Sequence, residues 1–282
     1  MNFKLLLTTA AILVSMAVTP LAMADNILVV MSDKAQLELK DGKTYQTGFY
    51  LNELMQPVKR FMDEGHLVTF ATPSGMAPSL DKNSDSVSLF NNDQSAYETH
   101  KNLLLKLKIT DATNSPVISF SRVEQIGVEN FDAFFAPGGH APMEDLLVDD
   151  SLGCILTAFH EAEKPTGLVC HGPIALLSTL ANKNDFVNGL KTGEKTSPAQ
   201  DWIYKDYKMT VFSNSEEVIA ENGYLNGGKM FFYPETALNI AGGDYQRNPK
   251  DWNAKVVVDR ELITGQNPAS ANDVATEILN RL

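Results

Sequence analysis

Short apolar, β-branched runs alternate along this chain with stretches of helical periodicity, and that alternation restricts the fold more than any other feature. "NILVVMS" (26–32) reads as a buried strand. In the following "TGFYLNELMQPVKRFMDEG", Leu51, Leu54, Met55, Val58, Phe61 and Met62 recur at helical spacing, and Gly65 supplies a stop. Pro57 inside that pattern predicts a kink or a later helix start. "HLVTFATPSG" is the next strand, and strand–helix–strand in this order calls for a parallel pair with a right-handed crossover. The pattern returns in "FDAFFAPGGHAPMEDL", where a strand over 131–136 runs into a Gly-Gly-His turn and a helix reaching about 163. It returns again in "TGLVCHGPIALLSTLA". "VVVDRELITGQNPASANDVATEILNRL" closes the chain with a strand pair, a turn and an amphipathic helix. Together these describe an open α/β sheet, whose ligands bind at the carboxyl ends of its strands.

The ends and the middle of the chain behave differently. Lys4, the apolar "LLLTTAAILVSMAV" and the small residues of Ala22-Met23-Ala24 form a signal-peptide pattern, interrupted by Pro20 before any membrane span is complete. Residues 1–24 are therefore expected to be a cleaved leader, and 25–282 a single exported domain without a membrane anchor, periplasmic in a two-membrane cell. Residues 74–130 begin polar ("LDKNSDSVSLFNNDQS") and turn apolar ("NLLLKLKI"), which predicts a mostly helical cap insertion. The net charge of −12, without basic clusters, disfavours nucleic acid and anionic membranes as partners. Cys154 and Cys170 are the two cysteines. An oxidising compartment permits their pairing, but a domain of this size needs no covalent staple.

Two turns carry the chemistry. Cys170 follows a strand and precedes a helix, as a nucleophile elbow does, and a helix N-terminus there is expected to lower the thiol pKa. An inert buried cysteine is the alternative. In "APGGHAPMEDL", Gly138 and Gly139 let the backbone approach a ligand and offer amides as an oxyanion hole, with His140 beside them. A plain strand-to-helix turn is the alternative there.

"GLVCHGPIALL", "APGGHAPMEDL", "TGFYLNEL" and "LITGQNPASA" resemble the ThiJ/PfpI superfamily, and most of all its branch of heat-shock chaperones and glutathione-independent glyoxalases. The resemblance spans nearly all of the chain after the leader. It implies a three-layer, flavodoxin-like sandwich with a mostly parallel central sheet and a small cap insertion. It also implies Cys170 as nucleophile, His171 as its partner, Glu53 beside the sulfur, and Glu217 orienting the histidine. Gly139 and the His171 amide would be oxyanion donors, with Gly138 and His140 in the same turn. The implied activity turns methylglyoxal and water into lactate without a cofactor. An ATP-independent chaperone for unfolded clients, possible as a homodimer, and a cysteine redox sensor are the alternatives. A deglycase, an amidase and a protease rank below these.

Residue patterns pull against the resemblance at three positions. Glu53 lies opposite the apolar face of its helix and reads as a solvated first-turn residue. Glu217 reads as part of helix capping after Asn214 and Ser215. Ala141 stands where this branch usually has glycine, and a positive φ there would strain it. His66, His100 and His160 lack metal-ligand spacing, so no catalytic metal is expected.

Overall fold

The computed structural model describes residues 24–198, 200–225 and 227–282. The leader expected over 1–24, apart from Ala24, lies outside the described residues. The chain opens with β1 (Asn26–Val30), a hairpin of β2 (Gln36–Glu38) and β3 (Thr44–Gln46), α1 (Leu51–Asp63) and β4 (Leu67–Thr72). Then come α2 (Gln94–Leu107), β5 (Ile118–Ser119) and α3 (Phe120–Ile126). β6 (Ala133–Ala136) is followed by α4 (Asp150–Glu161), and β7 (Thr166–Val169) by a 3-10 helix over Gly172–Thr179 and by α5 (Lys183–Thr192). The last third holds β8 (Lys208–Met209), α6 (Asn214–Gly223), α7 (Pro234–Ala241) and β9 (Asp244–Tyr245). It ends with β10 (Val256–Asp259), β11 (Leu262–Gly265) and α8 (Ala271–Leu279).

Seven strands form one sheet in the order β10-β11-β7-β6-β1-β4-β5, parallel except for the β10–β11 pair. Successive side chains of β1 point to opposite faces. Ile27 and Val29 join the core made with α1, α2 and α8, whereas Leu28 and Val30 join the core made with α4 and the 3-10 helix. A strand buried on both faces must be apolar at every position, which is why "ILVV" does not alternate. This is the expected three-layer α/β sandwich with a mostly parallel sheet.

The connectivity places the site. From β1 the chain runs outward to β4 and β5, then returns to β6 on the other side of β1 and continues to β7 and β11. Direction reverses between β1 and β6, where such sheets open a crevice at the strand carboxyl ends.

Two local expectations change. α1 begins at Leu51, ahead of Pro57, so the proline sits inside the helix rather than delaying its start. The 74–130 stretch is not all cap: Ile118–Ser119 pairs with Ala71–Thr72 as the edge strand of the main sheet. Two strand residues are too few to show a period in sequence. The earlier part of the stretch stays outside the sheet, and Leu80 bridges to Phe49 next to the site. No helix among the described residues is long and apolar enough to cross a membrane.

Candidate active site

Cys170 is the first residue past β7 and has φ +60, a left-handed conformation that non-glycine residues avoid. Two backbone hydrogen bonds hold it there. Its N–H donates to the Gly265 carbonyl at 2.8 Å, and its own carbonyl accepts from the Phe212 N–H at 2.9 Å. The sharp turn lifts the side chain out of the sheet toward α1 and the Gly-Gly-His turn, where it is buried.

Glu53 meets it from α1. Far from being solvated, Glu53 is completely buried. The face of α1 opposite the sheet is covered by other segments: the Ser84 hydroxyl accepts from the Leu51 N–H at 2.9 Å, and the Asn52 amide donates to the Pro268 carbonyl at 3.2 Å. Glu53 Oε2 accepts from the Gly138 N–H at 2.8 Å, while Oε1 has no hydrogen-bond partner. Burial pushes the carboxyl up to about 8, against the opposing pull of the Gly138 amide and the Cys170 thiol. At neutral pH Glu53 is therefore a carboxylic acid beside the sulfur.

Glu217 joins two histidines. Its Oε2 lies 2.7 Å from His171 Nε2 and its Oε1 lies 2.8 Å from His140 Nε2. The two rings sit 4.1 Å apart between centroids. Burial opposes charge on Glu217, but the histidines outweigh it and hold the carboxyl well below the usual carboxylate range. An ionised carboxylate only accepts, so both Nε2 atoms carry hydrogen. Burial works against protonating either ring. In His140 the charges of Glu217 and Asp81 prevail and the pKa is raised. In His171 burial and the neighbouring His140 prevail over Glu217, and the pKa is lowered. His171 is thus a neutral base whose free Nδ1 lone pair faces Cys170 Sγ at 3.4 Å.

The thiol itself departs from expectation. Burial, with a further contribution from any charge on Glu53, raises the Cys170 pKa well above the ordinary thiol value, and the Gly139 amide opposes this only in part. Desolvation outweighs the helix dipole, and the following helix is a tight 3-10 turn rather than an α-helix. The arrangement is a thiol next to its base, not a standing thiolate.

In the Gly-Gly-His turn the two glycines differ. Gly139 has φ +83, and a Cβ there would stand 2.0 Å from the Gly48 carbonyl oxygen. Its amide points at the sulfur. Gly138 is not a free oxyanion donor, because its amide is committed to Glu53. Ala141 starts a short 3-10 turn and is not among the residues with positive φ, so alanine carries no strain at this position.

Cys170, His171, Gly139 and His140 line one narrow pocket of about 20 Å³ with Tyr50, Phe212 and Trp252. Phe212 and Trp252 escaped the sequence reading. Phe212 lies over the His171 ring at 4.6 Å, and Trp252 meets Phe212 edge-on at 5.6 Å. Glu216 also escaped it: buried, it accepts from Ser213, Gln266, Asn267 and the Trp252 N–H, and so ties α6 to the "GQN" turn. Ser213 with Glu216 forms the capping box of α6, leaving Glu217 free to face the histidines.

Both cysteines are free thiols, Cys154 exposed on α4 and Cys170 buried. Among the described residues, His140, His171 and Glu217 are the group whose ligand atoms lie close enough, within 4.8 Å, to hold a metal ion. Bound there, an ion would displace the two Nε2 protons that orient the rings.

The family described as ThiJ/PfpI family-like matches residues 45–211, which contain Glu53, the Gly-Gly-His turn and the Cys170 elbow. The chain belongs to the ThiJ/PfpI family. The curated relative "Protein/nucleic acid deglycase HchA" of Staphylococcus aureus strain bovine RF122 / ET3-1 is 25% identical over 259 residues, covering 91% of this chain and 79% of the relative. Among solved structures, glyoxalase III from Candida albicans is similar with a TM-score of 0.64 at 22% identity, covering 92% of this chain and 97% of that one. The Rapid Encystment Protein of Francisella tularensis is similar with a TM-score of 0.70 at 24% identity, covering 91% and 98%. These two likenesses describe the shared ThiJ/PfpI fold.

Proposed function

We propose that this ThiJ/PfpI protein acts in carbonyl stress, converting small 2-oxoaldehydes such as methylglyoxal to 2-hydroxy acids through Cys170 and without glutathione. The observation that carries the reading is the buried thiol set between the neutral His171 Nδ1 at 3.4 Å and the protonated Glu53. Similarity to a deglycase and to a glyoxalase III supports the substrate class.

His171 Nδ1 takes the thiol proton as sulfur attacks the aldehyde carbon, and the C–S bond forms as the carbonyl π pair moves to oxygen. The Gly139 amide, which points at the sulfur, is the donor for that oxyanion. His140, whose pKa Glu217 raises against burial and whose buried Nδ1 lacks any partner, is the donor for the neighbouring ketone oxygen. His171 passes the thiol proton to the alkoxide oxygen, which completes a hemithioacetal and frees Nδ1. His171 then removes the C1 proton to give an enediolate, the hydroxyl proton shifts from the C1 oxygen to the C2 oxygen, and return of the proton from His171 to C2 leaves a thioester of the hydroxy acid. Water then cleaves the thioester, releasing the acid and restoring the thiol. Atoms balance as oxoaldehyde plus water to hydroxy acid. Throughout, Glu217 stabilises the imidazolium that forms on His171.

The test is lactate formation from methylglyoxal, followed by proton NMR. Purified protein should produce lactate in proportion to methylglyoxal lost, and folded Cys170→Ala should produce none. Lactate from the alanine variant would sink the mechanism. Amine release from a methylglyoxal–amine adduct without lactate from free methylglyoxal would instead favour the deglycase reading, which uses the same nucleophile.

A further inference from the structure

The pocket around Cys170 does not end at the surface. Tyr50, Tyr224, Trp252 and Pro268 form its outer wall and also the inner wall of a second, wider cavity of about 370 Å³. The site is thus a narrow chamber reached through an aromatic neck from a vestibule. A chamber of about 20 Å³ takes at most the dicarbonyl end of a 2-oxoaldehyde, so whatever that end carries lies in the neck.

The neck is held in place at some cost. Trp252 has φ +65, a left-handed conformation that non-glycine residues avoid. Its N–H donates to the buried Glu216 carboxylate at 2.8 Å, and its ring rests edge-on against Phe212. Tyr224 follows the last turn of α6, anchored by its N–H to the Ala220 carbonyl at 2.7 Å. Despite these anchors, Tyr224 and Trp252 leave 41% and 39% of their surface exposed. Two rigid aromatic faces left open at the mouth of a reactive pocket are ready to stack on a flat group.

Charge narrows the choice of that group. The vestibule wall beyond the aromatic residues is made of Asn83, Ser86, Ser88, Leu89 and Asn267, and no ionisable acid or base other than the tyrosines lines it among the described residues. A phosphate, a carboxylate or a lysine or arginine side chain would find no counter-charge there. A neutral aromatic substituent would lose little on entering and would gain stacking against the exposed rings.

We propose that the neck formed by Tyr50, Tyr224 and Trp252 selects 2-oxoaldehydes bearing a neutral planar substituent, an arylglyoxal being the simplest, over methylglyoxal. The inference rests on the 2-oxoaldehyde reading, with the aryl group in the neck and the dicarbonyl at Cys170.

Two measurements separate the neck from the reaction. The first compares kcat/KM for phenylglyoxal and methylglyoxal. Wild type should favour phenylglyoxal at least tenfold. Trp252→Gly, which suits a positive φ, and Tyr224→Leu should each cut that ratio at least fivefold. The second needs no turnover: Cys170 is alkylated with phenacyl bromide and with bromoacetone, which share a reactive group and differ in phenyl versus methyl. The phenyl preference at Cys170, divided by that at Cys154, should exceed tenfold and collapse in both variants. Alkylation selectivity without turnover of either aldehyde would uphold the neck and refute the reaction. Equal alkylation by the two reagents, or a preference that survives both substitutions, would overturn the neck.

Discussion

His171 Nε2 and Glu217 Oε2 lie 2.7 Å apart, and that one hydrogen bond decides which ring nitrogen of His171 faces the thiol. The same carboxylate serves His140, whose pKa it raises, while burial and the neighbouring His140 lower that of His171. Glu217→Gln would offer one acceptor where two N–H groups need one. Its turnover of methylglyoxal is expected to fall about a hundredfold or more. Its melting temperature should drop as well, because one buried ring N–H loses its acceptor. Unchanged turnover in a folded variant would contradict the assigned tautomer.

Glu53 links the site to stability. Its folded pKa is pushed up from 4.5 to about 8. Between those values the folded chain holds a proton that the unfolded chain releases, so stability falls as pH rises through this window and then levels off. At about 1.4 kcal/mol per unit the accumulated penalty is on the order of 5 kcal/mol. Glu53→Gln removes it. Urea denaturation should show the variant gaining on wild type from pH 5 to pH 8, whereas a pH-independent difference would mean that Glu53 is charged in the native state.

The two glycines of the turn make a sharper steric test. Gly139→Ala would drive a Cβ to within 2.0 Å of the Gly48 oxygen while forcing alanine to φ +83. Gly138→Ala would bring one to 2.6 Å from the Cys170 Cβ. Both are expected to lose about 3 kcal/mol or more, or to fail to fold. Soluble, fully stable variants by thermal melting would show that the turn is placed wrongly.

Ala141→Gly should do little, costing about 1 kcal/mol at most and leaving kcat/KM with methylglyoxal within about twofold. Alanine here has no positive φ to relieve. A large gain in activity would restore the idea that this position deforms the oxyanion turn.

Much of this was legible in the sequence where the determinant was local. The strands announce themselves because β1 and β6 are apolar on both faces, and Cys170-His171 stands out because the elbow turn, the thiol and the imidazole are contiguous. Glu53 was not legible from periodicity: the wheel places it away from the sheet, and only Ser84 and Pro268, brought in from distant segments, close that side. Adjacent glutamates hid a division of labour, since Glu216 caps and braces while Glu217 meets the histidines. The thiol's raised pKa was missed for a similar reason. A helix dipole is a local quantity, whereas desolvation depends on everything packed around the sulfur. Trp252 gave no signal at all, because its left-handed backbone depends on a carboxylate that precedes it by 36 residues.

The most direct measurement is the pH dependence of Cys170 alkylation by a small haloacetamide, read by mass spectrometry with exposed Cys154 as the reference in the same molecule. Cys170 should be labelled through His171, with its rate relative to Cys154 flattening or falling as Glu53 ionises near pH 8 and dropping at least tenfold in His171→Gln. A Cys170 profile that tracks Cys154 across the range, unaffected by His171→Gln, would mean that the sulfur has neither an assisting base nor a governing acid.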